Sequence, residues 1–301
     1  MSIRHLEQIL EVVLTKPKKR LAAAYANDMH TIEALYSAVS QGVIAATLVG
    51  DEQVIHTNCD KLGIDPNCFT IIHEPIDTKA TTKAVMLVRG GDCQLLMKGL
   101  VSTDKYMRAI LNKEVGLLDP GAILSHVAVV ENANYHKLII CGDVAVIPYP
   151  ELREKIAITN YCARVARTFG ITEPKVAIVC ASEQVLPKMQ AGVDAAILCK
   201  MAERGQIKGC IVDGPMGLDI AIDKKAANTK NVFGPVAGDA DCLVFPNIEA
   251  GNVFYKTNTK LAGCEVAAVV VGTKAPCVLS SRGDSAKTKL YSIALGALLA
   301  D

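Results

Sequence analysis

The stretch ELREKIAITNYCARVARTFGITEPKVAIVCAS, residues 151–182, decides the fold class. Its first part carries apolar residues at Leu152, Ile156, Ile158, Cys162, Val165, Ala166 and Phe169, one face of a long helix that Gly170 closes. After ITEP the pattern changes to the continuous apolar run of KVAIVCAS, the signature of a strand buried on both faces. The same kind of run recurs in KGCIVDG (208–214), DCLVFPN (241–247) and EVAAVVVG (265–272), with helical stretches between. Earlier in the chain, GVIAATLVG (42–50), AVMLVRGG (84–91), LLMKG (95–99) and KLIICGDVAVIPY (137–149) punctuate the sequence in the same way. Such alternation predicts an α/β fold with mainly parallel sheets.

Two prolines, Pro148 and Pro150, interrupt the pattern, and GTKAP (272–276) marks a second junction. The expected organisation is a first α/β domain from residues 1–149 plus 276–301, with 150–275 as an inserted second α/β domain. The chain of 301 residues is long enough for both to bury a core.

Composition narrows the function. A net charge of +1 gives no bulk reason to expect nucleic acid or a membrane as partner. The longest apolar runs, such as VAAVVVG (266–272), are strand-length and far short of the roughly 20 residues of a membrane span. The opening MSIRHLEQILEVVL carries acidic residues inside its apolar pattern and reads as an amphipathic helix, not a signal peptide. Eleven cysteines, an odd number without a CxxC, read as reduced buried hydrophobes of a cytoplasmic protein. The six histidines show no HExxH spacing, so no metal site is expected. Neither GxGxxG nor GxxxxGK[ST] occurs, which argues against the common nucleotide fingerprints.

In open α/β sheets ligands bind beyond the carboxyl ends of strands, so polar strand-to-helix loops are the candidates. LLMKGLVSTDKYMRAIL (95–111) supplies Lys98, then Ser102 and Thr103 before a helix, and Arg108 one turn in. These residues suit either plain N-capping or an anion cradle. GCIVDGPMGLDIAI (209–222) leaves a strand into Asp213, Gly214 and Pro215, with Asp219 six residues after Asp213. Turn chemistry accounts for the first three, while paired carboxylates also suit a base or a ligand contact. CLVFPNIEAGNVFYKTNTKLAG (242–263) offers Glu249, a close backbone approach at Gly251, Asn252 at an expected helix start, and Lys256 one turn on. Last, PCVLSSRGDSAKTKL (276–290) places Ser281, Arg282, Gly283, Asp284 and Ser285 before a helix. Adhesion through Arg-Gly-Asp-Ser needs an exposed extracellular loop, which the cysteines argue against. A simple cap by Asp284 or Ser285 suits the helix start, but capping gives no reason for the adjacent arginine.

Taken in order, KGLVST…R (98–108), DGPMGLDIAI (213–222), VFPNIEAGNVFYK (244–256) and the serine-arginine block from Ser280 onward resemble the phosphate acyltransferase family, the phosphate acetyltransferases and phosphate butyryltransferases. The likeness runs from about residue 90 to the C-terminus, and Asp-Ser-Ala-Lys-Thr-Lys-Leu after the arginine resembles the butyryl branch. The resemblance implies two α/β/α domains of isocitrate-dehydrogenase-like or phosphotransacetylase-like fold, an interdomain cleft, and a homodimer or larger assembly. It implies reversible transfer between acyl-CoA plus phosphate and acyl phosphate plus CoA, with coenzyme A and phosphate as substrates and no further cofactor. By the family pattern Arg282 would clamp phosphate, Ser281 would hydrogen-bond the thiol or the reacting carbonyl, and Arg108 would be a second phosphate or CoA contact. The acetyl branch has a carboxylate seven residues after the motif serine; here that position is Thr288. Asp284 becomes the nearest candidate base, with Asp213, Asp219 and Glu249 in reserve. An acetyl-preferring enzyme, a dehydrogenase on the related fold and a non-catalytic acyl-CoA-binding regulatory module are the alternatives; no dense carboxylate cluster supports the dehydrogenase.

Overall fold

The structure is a computed structural model and describes residues 2–279 and 284–300. Ser281 and Arg282 of the sequence-derived site therefore lie outside the described residues. The chain divides into two compact units, one of Glu7–Leu124 with Ala267–Asp301, the other of Met1–Leu6 with Ser125–Val266.

In the first unit the chain runs α1 (Glu7–Leu14), β1 (Lys19–Ala24), α2 (Met29–Ser40), β2 (Ile44–Gly50), α3 (Glu52–Leu62), β3 (Thr70–His73), α4 (Asp77–Arg89), β4 (Leu95–Lys98) and α5 (Thr103–Ile110). The second unit holds β5 (Ser125–Glu131), β6 (Ile139–Gly142), α6 (Leu152–Thr168), β7 (Lys175–Val179), α7 (Gln190–Glu203), β8 (Ile211–Met216), α8 (Leu218–Ile222), α9 (Lys224–Thr229), β9 (Cys242–Val244) and α10 (Ile248–Lys256). The chain then returns to the first unit through β10 (Glu265–Val271), β11 (Cys277–Val278) and α11 (Ala286–Leu299).

Strands of the first unit are ordered β3-β2-β1-β4-β11-β10. All neighbours are parallel except β10, which meets β11 antiparallel. In the second unit the order is β5-β6-β9-β7-β8, with only the β5–β6 pair antiparallel. Near-continuous apolar strands such as β7 are buried from Val176 to Val179, as expected of parallel strands covered on both faces. Helix α11 is buried at every position from Thr288 to Leu299, because it packs at once against α1, α2, β4 and β11.

The units differ from the sequence-derived boundaries at 149/150 and 275/276. Residues 125–142 sit with the second unit because β6 is hydrogen-bonded in parallel to β9 and antiparallel to β5. β10 sits with the first unit apart from its first two residues, Glu265 and Val266, and pairs there with β11. AVMLVRGG is also not a strand: residues 84–89 belong to α4, whose buried Ala80, Thr81, Ala84, Val85 and Val88 follow helical spacing. Among the described residues, no helix is long and apolar enough to cross a membrane.

Candidate active site

The order of the first unit's sheet reverses between β1 and β4. From β1 the chain moves outward through β2 and β3, then returns to lay β4 on the other side of β1. Loops leaving the carboxyl ends of such strands open a crevice where ligands bind. β11 lies beside β4 in parallel, with Cys277 opposite Leu96 and Val278 opposite Met97. The segments after β4 and after β11 therefore leave the sheet at the same edge. One carries Lys98, Ser102 and Thr103, and the other leads from Val278 towards Asp284.

This edge is tightly constructed. Gly99 and Leu100 donate to the carbonyls of Ala24 (3.0 Å) and Tyr25 (2.8 Å) at the end of β1. A Cβ on Gly99 would lie 2.8 Å from the Ala24 carbonyl oxygen and closer still to that of Tyr25, so only glycine fits. Lys98, the last residue of β4, is half-buried with its Nζ 3.3 Å from the Gly99 carbonyl. Ser102 is the N-cap of α5, its Oγ accepting from the Lys105 amide at 3.3 Å. Thr103 opens that helix and is exposed. Tyr106, fully buried on the same helix, donates its hydroxyl proton to the Val278 carbonyl at 3.3 Å and so ties α5 to β11. Lys105 reaches Asp77 at 2.5 Å, and that hydrogen bond holds the Asp77 carboxyl below the ordinary range. Arg108 is exposed and engages Asp104 one turn back at 3.1 Å. On the β11 side, Ser285 caps α11 by accepting from the Thr288 amide at 3.0 Å, so the cap is Ser285 and not Asp284. Thr288 is buried and accepts from the Ser285 hydroxyl at 3.1 Å, which commits it to the cap.

In the second unit, Asp213, Gly214 and Pro215 do not form a loop beyond the strand. They lie inside β8, where the register against β7 shifts between Ala177 and Val179. β8 ends the strand order, so it has an unpaired side, and an edge strand with an irregularity tolerates proline. Asp213 is half-buried and accepts from the Gly214 amide at 2.8 Å; burial raises its carboxyl pKa despite that bond. Asp219 is exposed on α8 and paired with Lys230 at 2.8 Å, and this contact lowers its pKa. An ionised carboxylate already held by lysine is a weaker base than Asp213.

The third expected loop also differs. Helix α10 starts at Ile248, capped by Asn247, whose side chain accepts from the Ala250 amide at 3.0 Å. Asn252 is thus one turn inside the helix, donating to the Val144 carbonyl at 3.1 Å. Gly251 is needed because its Cα packs against the backbone at Asp143, with Val144 Cγ1 at 3.2 Å from a Cβ placed there. Glu249 is exposed and accepts from the Tyr149 hydroxyl at 2.9 Å, a hydrogen bond that raises the Tyr149 pKa. Lys256 ends α10 with its ammonium 5.3 Å from the Tyr255 ring centroid, a cation–π contact.

One organising residue escaped the sequence reading. Asp143 follows β6 and is 2 % exposed. Its Oδ2 accepts from Ser125 Oγ (2.8 Å) and the His126 amide (3.0 Å), and its Oδ1 from the amides of Ala145 (2.7 Å) and Val146 (2.8 Å). It fixes the 143–147 turn that in turn receives Asn252. The available signal was Gly-Asp directly after the apolar run LIIC. Among the described residues, no group of three His, Cys, Asp or Glu side chains is placed to hold a metal.

Residues 67–297 match the family model described as "Phosphate acetyl/butaryl transferase". The chain belongs to the phosphate acetyl/butyryltransferase family. It is 49% identical over 298 residues to a phosphate butyryltransferase from Clostridium acetobutylicum, covering 99% of both chains. It is 42% identical to a phosphate acetyltransferase from Thermotoga maritima, covering 98% of this chain and 99% of that one. Among solved structures, a branched-chain phosphotransacylase from Enterococcus faecalis V583 superposes with a TM-score of 0.82 at 29% identity, covering 94% of this chain and 100% of the other. A 4-hydroxythreonine-4-phosphate dehydrogenase from Salmonella typhimurium, at TM-score 0.59 and 14% identity, shares the fold alone. The mixed α/β fold with mainly parallel strands is thus that of the phosphotransacylases.

Proposed function

We propose that this family member transfers a short-chain acyl group, butyryl in preference to acetyl, between coenzyme A and phosphate. The observation that carries the acyl preference is the 49% identity over nearly the whole of both chains to the Clostridium acetobutylicum phosphate butyryltransferase. In the thiol-attack direction the CoA sulfur loses its proton and bonds to the carbonyl carbon of the acyl phosphate. The carbon–oxygen bond to phosphate breaks, and phosphate leaves with the electron pair. Charge therefore develops on phosphate oxygens, and a guanidinium that grips two of them at once stabilises it.

Arg282 is the residue we assign to that grip, with Ser281 beside it to hydrogen-bond the thiol or the carbonyl. Both follow β11 by only a few residues in sequence, and β11 itself lies beside β4, the strand that leads to Lys98, Ser102 and Thr103. Asp284 is the base we assign to the thiol proton, since Thr288 is occupied in the α11 cap. Arg108 would be a further phosphate or CoA contact once released from Asp104. In the second unit Asp213, Gly214, Pro215, Asp219, Glu249, Asn252 and Lys256 are the proposed substrate contacts, with Asp213 the reserve base. The enzyme is taken to act in the cytoplasm as a homodimer or larger assembly.

A chain-length series tests the acyl assignment: kcat/KM with acetyl-, propionyl-, butyryl- and valeryl-CoA at fixed phosphate. The proposal expects a maximum at butyryl-CoA. Because one methylene discriminates by about 1–3 kcal/mol, an acetyl-CoA value equal to or above the butyryl value would move the chain to the acetyl branch.

A further inference from the structure

Tyr25 follows β1 with a φ of 60°, in the left-handed region. Elsewhere among the described residues a positive φ falls only on glycine or on Asn231, residues that adopt it at little cost. A bulky aromatic residue there is an outlier, and folds retain such outliers where the backbone is held from several sides and the side chain is used. The hold is provided by three strands. The Tyr25 carbonyl accepts from the Leu100 amide at 2.8 Å, the Ala26 amide donates to the Val49 carbonyl of β2 at 3.0 Å, and Gly99 donates to Ala24 at 3.0 Å. Those bonds explain the left-handed turn, which glycine or asparagine would make at lower cost. They give no reason for the tyrosine.

Tyr25 leaves β1 and Leu100 follows β4, so both stand at the carboxyl edge where the strand order reverses, the crevice in which open α/β sheets receive ligands. Their neighbours Ala24, Ala26, Gly99 and Val101 are all buried, yet Tyr25 is partly exposed and Leu100 is 37% exposed. An aromatic ring and a leucine are thus left towards solvent at a strand edge that is otherwise packed. The adjoining groups are polar, since Lys98 precedes Gly99 and Leu100, and Ser102 follows them. Ligand sites combine apolar walls with a few placed polar groups. A ligand that suits this edge has an anionic part for Lys98 and an apolar part for Tyr25 and Leu100, which is the make-up of a short-chain acyl phosphate. In that molecule the acyl carbon is one oxygen away from phosphorus, so an apolar wall belongs beside the phosphate group.

We infer that Tyr25 and Leu100 form a wall against which the acyl chain packs, and so set its length preference. This rests on the phosphate acyltransferase reading above. The test is the ratio of kcat/KM for butyryl-CoA to that for acetyl-CoA in the full chain, for wild type, Tyr25→Asn, Tyr25→Phe and Leu100→Ala. Calorimetric Kd values for both acyl-CoAs and the melting temperature are read alongside. Each methylene that loses its apolar contact is worth about fourfold. For the two extra methylenes of butyryl, the ratio should fall roughly tenfold in Tyr25→Asn and roughly threefold in Leu100→Ala. Tyr25→Phe keeps the ring and should keep the wild-type ratio. Tyr25→Asn should melt at or above the wild-type temperature, because asparagine suits a positive φ. An unchanged ratio in both Tyr25→Asn and Leu100→Ala would overturn the inference. So would loss of the ratio in Tyr25→Phe, which would make the hydroxyl the contact, or a lower melting temperature in Tyr25→Asn at an unchanged ratio, which would leave Tyr25 a packing role alone. If wild type binds acyl-CoA without turnover, the functional reading fails and the ratio of the two Kd values decides the wall. Absence of binding by either acyl-CoA overturns both.

Discussion

Gly99→Ala is the sharpest test of how the proposed phosphate-binding edge is built. The added methyl would sit 2.8 Å from the Ala24 carbonyl oxygen and nearer still to that of Tyr25, and both obstacles are backbone. Relief requires the end of β4 to move away from β1 by up to about 1 Å, since carbon packs against its neighbours at about 3.5 Å. That movement strains the hydrogen bonds from Gly99 to Ala24 and from Leu100 to Tyr25. Overpacking of this kind costs about 1–3 kcal/mol, or a fall of roughly 2–4 °C in Tm for each kcal/mol at this chain size. Lys98 and Ser102 move with the strand end, so KM for phosphate should rise more than KM for acyl-CoA. Gly90→Ala is the control. Gly90 has an ordinary helical φ of −76°, and its nearest obstacle is 3.3 Å away, so its cost should stay below about 1 kcal/mol. Calorimetry together with initial rates over a phosphate series reads both effects. A Gly99→Ala enzyme with wild-type Tm and wild-type phosphate KM would show that this strand end accommodates a side chain and does not set phosphate affinity.

Further outcomes follow from the second unit. Asp143→Ala strands one hydroxyl and three amide donors, at about 1–3 kcal/mol for each that stays buried, so unfolding in denaturant should show a loss of about 4 kcal/mol. Asp194→Asn leaves Lys155 buried without its charge partner and should cost about 3–5 kcal/mol, as read from unfolding in denaturant. The raised pKa of Asp213 makes the folded state hold its proton at a pH where the unfolded chain has released it. Stability contributed by this group is therefore lost as pH rises from the unfolded carboxyl pKa through the folded one. Asp213→Asn should match wild type below that window and exceed it above, as read from Tm against pH.

The alternation of helix and strand was legible because strands covered on both faces keep continuous apolar runs, as in KVAIV and EVAAVVV. β1, with the sequence KRLAAA, gave no such signal, since alanine is equally at home in a helix. AVMLVR misled for the opposite reason: a short β-branched run has the same composition in either element, and only its spacing with Ala80 and Thr81 assigns it to α4. Candidate loops after β4 and before α11 were found by their capping residues, which sequence displays directly. Asp-Gly-Pro was read as a turn because turn chemistry and an irregular edge strand use the same residues. The burial of α11 from Thr288 to Leu299 depends on α1, α2, β4 and β11 packing around it, which no local pattern encodes.

Phosphate as acyl acceptor and Arg282 as its proposed grip are tested together. The direct measurement is CoA thiol release from butyryl-CoA as a function of phosphate concentration, with butyryl phosphate quantified in parallel, for wild type and Arg282→Ala. The account predicts saturable, phosphate-dependent release with one acyl phosphate formed per thiol. It also predicts loss of most of that rate in Arg282→Ala at unchanged Tm. Release that is independent of phosphate, acyl-CoA binding without turnover, or a fully active Arg282→Ala would contradict it.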